Sequence, residues 1–105
     1  MRELTKVEIN KIRTEASFPN EAKFSGFAIH LPDSDEFLHE FNENEYIVGK
    51  KWAKTPSMAK LFKSRKKVIK VRNRVKPEAL VVMVFETNVQ YLVTAHEMDN
   101  LKQVS

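Results

Sequence analysis

Apolar and polar positions change their period several times along this chain, and each change marks an element. Leu4, Ile9 and Ile12, with Val7 and Ala16 nearby, form a narrow apolar stripe among Lys6, Asn10, Lys11, Arg13 and Thr14, as in a helix that docks one face. Thr5 and Glu8 stand at capping-box spacing, and Leu4 and Ile9 at that of a hydrophobic staple, so the pattern predicts a helix over 5–16. Pro19 disfavours the α region for Phe18 and ends that helix. From Phe24 to Leu31 the period becomes two, with Phe27, Ile29 and Leu31 alternating with smaller or polar residues, which predicts a half-buried strand over 24–31. Gly26 weakens this strand or marks a bulge. Pro32 closes it. Asp33, Ser34 and Asp35 then offer cap oxygens to a short helix over 34–41 that carries Phe37, Leu38 and Phe41 inward.

Asn42, Glu43 and Asn44 read as a turn, and Tyr46, Ile47 and Val48 as the centre of a strand over 45–49. Thr55 and Pro56 suggest a cap and first helical position for a single turn through Met58 and Ala59. Over 65–75 two periods compete. Val68, Val71 and Val75 fit a helical stripe, whereas Ile69, Val71 and Val75 also fit alternation; the cap at Ser64 and the preceding Leu61 and Phe62 favour the helix. The continuous run from Leu80 to Phe85 predicts a strand over 80–86, buried on both faces and interior to its sheet. Val89, Tyr91 and Val93 alternate in a last strand over 89–95, joined to it as an antiparallel hairpin through Thr87 and Asn88. The expected fold class is α+β: one domain over 1–105, with a small antiparallel sheet of about four strands packed by three helices.

Composition supports an ordered fold. In 105 residues the chain is 42% hydrophobic with only two Gly and four Pro, which argues against long disordered stretches. The absence of cysteine excludes a disulfide framework and thiolate metal sites. The start, Met1 to Lys6, has no apolar run of signal-peptide length and no window approaches a membrane span, so the expectation is a cytoplasmic protein with no membrane partner. Charge changes the picture most. Residues 1–48 hold five Lys or Arg against ten Asp or Glu, residues 77–105 hold one against four, and residues 49–76 hold twelve bases and no acid. The net charge of +4 therefore conceals a −5 front, a +12 middle and a −3 end.

Tyr46, Ile47, Val48, Trp52, Ala59, Phe62 and Ser64 have a spacing that resembles small uncharacterised proteins of phages and mobile elements. There a strand leads to a tryptophan, an Ala-x-x-Phe-x-Ser step opens a helix, and a strand returns. The resemblance covers residues 45–86, supports the fold, and implies an accessory protein of a mobile element; it carries no functional residues to transfer.

The basic segment holds the candidate chemistry. Lys63, Arg65, Lys66, Lys67, Lys70, Arg72, Arg74 and Lys76 form the densest cluster of one sign, preceded by Lys50, Lys51 and Lys54 around Trp52. On a helix, Lys63, Lys66, Lys67, Lys70 and Arg74 share one face opposite the valines, the footprint of phosphate-backbone contact without sequence readout. Trp52 is either a stacking platform for a base or a core anchor. The blander reading of the segment is a solvated face, or one paired with the six acids between Asp33 and Glu45. The leading expectation is a small non-enzymatic binding protein that contacts nucleic acid through residues 50–76. The alternative is a protein-interaction module or inhibitor with complementary acidic and basic faces. A third reading, an RNA-cleaving toxin, would need His96, Tyr91 and Arg74 to converge. His30, His39 and His96 are too dispersed for a metal site, and no phosphate loop or nucleophile motif exists, so no cofactor is expected. An exposed edge on so small a sheet could also pair with a second copy as a homodimer.

Overall fold

The computed structural model describes residues 2–43 and 48–95 and has the α+β class that the patterns predict. Helix α1 is Lys6–Glu15 and helix α2 is Arg65–Val75. The strands are β1 (Lys23–Leu31), β2 (Glu36–Glu43), β3 (Val48–Ala53), β4 (Leu80–Glu86) and β5 (Tyr91–Ala95). They form one antiparallel sheet in the order β3-β2-β1-β4-β5, so β4 is interior, as its unbroken apolar run requires. A 3-10 turn at Pro56–Met58 follows Thr55. Residues 65–75 are a helix, capped by the Ser64 side chain, which accepts from Lys67 N–H.

The helix expected over 34–41 is instead strand β2, and the sheet has five strands rather than about four. Asp33, Ser34 and Asp35 belong to the β1–β2 connection, where Asp35 takes φ of 54°, a left-handed conformation that Asp tolerates better than most residues. Phe37, Leu38 and Phe41 mimic a helical stripe because β2 contains a bulge. Leu38 pairs with Trp52 and Glu40 with Lys51, leaving His39 as one extra residue. In a regular strand Leu38 and Phe41 would point to opposite faces; the extra residue brings both to the face that carries α2. Of the strand expected over 45–49, residues 45–47 lie outside the described residues, and the observed strand continues to Ala53.

The sheet is covered on both sides. Phe27, Ile29, Leu38, Val81, Met83 and Phe85 bury against Val68, Val71 and Val75 of α2, with Leu4, Ile9 and Ile12 from the N-terminal region packed alongside. Val7, which the sequence places near that stripe, points outward and is 76% exposed. On the other face Ala28, Phe37, Val82 and Val84 meet Ala59, just after the 3-10 turn. The chain passes from one face to the other between β1 and β2. These strands pair at His30–Phe37 and Leu31–Glu36, and residues 60–62 enter the gap beyond. Lys60 N–H donates to Leu38 O at 2.7 Å, and Phe62 exchanges two backbone hydrogen bonds with Phe27, at 2.7 and 2.8 Å. Gly26 makes this possible. Its φ of 152° lies outside the usual range of L side chains, and an added Cβ would meet Phe62 O at 3.0 Å. A register shift between Phe24 and Gly26 confirms the bulge anticipated there.

Candidate functional site

Helix α2 sorts the basic cluster by position. Arg65 and Arg72 are buried with the valines, at 2% and 4% exposure. Arg72 donates from its guanidinium to Ala79 O at 3.1 Å and to Asn73 Oδ1 at 2.8 Å, tying the end of α2 to the approach to β4. These two arginines hold the scaffold. Lys66, Lys67, Lys70 and Arg74 instead line a groove of about 440 Å³ together with Ser64, Val71 and Phe41 of β2. Lys66, Lys70 and Arg74 are four residues apart, so each step advances about 6 Å along the helix on one face. No acid is among the described residues lining the groove. The ammonium groups of Lys66, Lys67 and Lys70 have no hydrogen-bond or ion-pair partner among the described residues.

The other candidates are placed differently. Lys50 lies opposite Phe41 on β3 and donates to Val75 O at 3.1 Å, at the C-terminal end of α2, where a cation also suits the helix dipole. Lys51 pairs with Glu40 at 3.3 Å across β2 and β3, and Lys54 donates to Ser34 O at 3.2 Å with Glu36 at 4.0 Å. Lys63 precedes the α2 cap, donates to Ser25 O, and lines a separate cleft of mixed charge with Lys23 and Glu86. Trp52 is half-buried and packs against the core on the face that carries α2. The groove thus contains four of the nine residues singled out in the sequence, and adds Phe41, whose place depends on the β2 bulge.

The N-terminal end of α2 is held by Glu3. Its carboxylate accepts from Arg65 N–H at 2.5 Å, Lys66 N–H at 3.3 Å and the Ser64 hydroxyl at 3.1 Å. Arg65 returns a guanidinium hydrogen bond to Arg2 O at 3.2 Å. Removal from water pushes the Glu3 carboxyl up, but the backbone donors, the Ser64 hydroxyl and the Arg65 charge outweigh this and hold it below its usual 4.5. Beside it, hydrogen bonds from Arg2 and from Thr5 N–H hold the Glu8 carboxyl down at about 2, within the capping box of α1. A carboxyl whose folded value lies below its unfolded one contributes stability above the unfolded value and loses it as pH falls through the folded one. Glu3→Gln is therefore expected to lower stability at pH 7, modestly because the carboxylate is exposed and its field is screened by solvent. The gap from the native chain should narrow as pH falls below 4.5. Urea midpoints at pH 7 and pH 3 check this, and a gap independent of pH would rule out the carboxylate as its source.

Other possible chemistry stays apart. Among the described residues no three His, Cys, Asp or Glu side chains gather as a metal site. His30 meets Asp35 at 2.9 Å, and His39 Nδ1 meets Met58 O at 2.5 Å. Tyr91 pairs with Glu86, on the sheet face opposite α2 and Arg74, and His96 lies outside the described residues. No described helix is long and apolar enough to cross a membrane. No known protein family, curated protein or solved structure matches this chain.

Proposed function

We propose that this protein is a small non-enzymatic accessory protein that holds nucleic acid through its phosphate backbone, using the α2 groove. The observation that carries the reading is the row Lys66, Lys67 and Lys70, unpartnered among the described residues and lining a concavity without a described acid. A lysine already engaged by protein must give up that contact to meet a phosphate, whereas these three need only release solvent. Each phosphate neutralised by such a cation releases condensed counterion, which supplies affinity without sequence readout.

Fluorescence anisotropy with single- and double-stranded oligonucleotides at several salt concentrations tests the reading. Binding is expected to weaken as salt rises, with a log–log slope of about −0.7 for each phosphate contacted on a single strand. Amide shifts on titration should concentrate on residues 64–74. Absence of binding at low salt, or shifts scattered over the whole surface, would overturn it. A partner retained in pull-down after nuclease treatment would instead favour an acidic protein as the ligand.

A further inference from the structure

Given that the groove binds nucleic acid, we infer that its ligand is a single strand, with a base against the Phe41 ring and the backbone on the α2 cations. The shape argues first. The basic face of α2 forms one side of a concavity whose lining includes Phe41 from β2, so a ligand held there meets a ring as well as cations. A volume of about 440 Å³ is of the order that takes a small-molecule ligand, enough for about one or two unpaired nucleotides.

The distribution of chemistry argues the same way. Phe41 is partly buried against the core yet also lines the groove, so part of the ring packs inward and part faces the cavity. Val71 adds apolar lining, while Lys66, Lys67, Lys70 and Arg74 supply the cations. An apolar, aromatic surface beside a row of cations suits a strand whose bases turn inward and whose phosphates stay at the solvent side. A duplex could not use Phe41, since its bases are already stacked and paired. The bulge at His39 gains a role here, as the extra residue that turns Phe41 toward α2.

The test compares three probes of equal length at low salt: oligothymidylate, the same phosphodiester chain without bases, and a duplex. The native chain is expected to bind oligothymidylate about tenfold more tightly than the abasic strand, the size of one stacked base. Phe41→Leu should remove that difference, and Phe41→Tyr should keep it. Equal binding of oligothymidylate and abasic strand, or tighter binding of the duplex, would overturn the inference yet leave backbone binding standing. Failure of all three probes to bind would overturn both. The three probes are compared on the native chain, so the inference can be overturned even if Phe41→Leu does not fold.

Discussion

Replacing Lys67 and Lys70 together with glutamate is expected to weaken oligonucleotide binding by about 100-fold at low salt, equivalent to about 2.7 kcal/mol. Two attractive contacts are lost and two repulsive ones take their place, and like charges brought together cost several kcal/mol. The fold should tolerate the change. Both side chains are exposed, and neither ammonium has a partner among the described residues to lose. Lys67 lies in the first turn of α2, where a carboxylate interacts favourably with the helix dipole. Far-UV circular dichroism and the melting temperature should therefore stay close to those of the native chain while affinity falls. The same exchange at Lys51 and Lys54 is the control, since those lysines pair with Glu40 and Glu36 on the β2–β3 hairpin and line no part of the groove. Binding retained by Lys67→Glu/Lys70→Glu within about threefold would place the ligand elsewhere, given the size of the charge change.

Phe62→Ala is expected to cost about 3–5 kcal/mol of unfolding free energy, read as a shift in urea midpoint with little change in slope. Against a typical total of about 5–15 kcal/mol, such a loss would leave many domains of this size partly unfolded. Phe62 is 4% exposed, and its ring fills the α2 face just where the chain emerges from between β1 and β2. Its backbone hydrogen bonds to Phe27 survive the substitution, but the side chain that anchors the crossing to the core does not. Two residues later Ser64 caps α2, so loosening of the crossing should also loosen the first turn of the basic helix. Faster amide exchange at residues 65–68 than at β4 in the variant would show this local effect. An unfolding free energy within about 1 kcal/mol of that of the native chain would mean that neighbours refill the site, a degree of relaxation large-to-small core changes rarely show.

Sequence alone determined the elements whose causes are local. The capping box of Thr5 and Glu8, the Ser64 cap, the valine stripe of α2 and the apolar run of β4 each act within a few residues, and each element formed where its signal stood. The segregation of charge, with twelve bases and no acid over residues 49–76, is equally a property of the chain itself. Tertiary structure decided the rest, because the deciding contacts are far apart in sequence. A hairpin partner in β3 and a one-residue bulge made residues 36–43 a strand although their cap residues and apolar spacing read as helix. Core packing drew Arg65 and Arg72 inward, while Ser25, Ser34, Glu40 and Val75 drew Lys63, Lys54, Lys51 and Lys50 away from the basic row. What remained of a cluster spread along the chain was one groove, formed where α2 meets Phe41. Spacing places charges on a helix face; which of them stay free for a ligand depends on the distant groups that the fold brings against them.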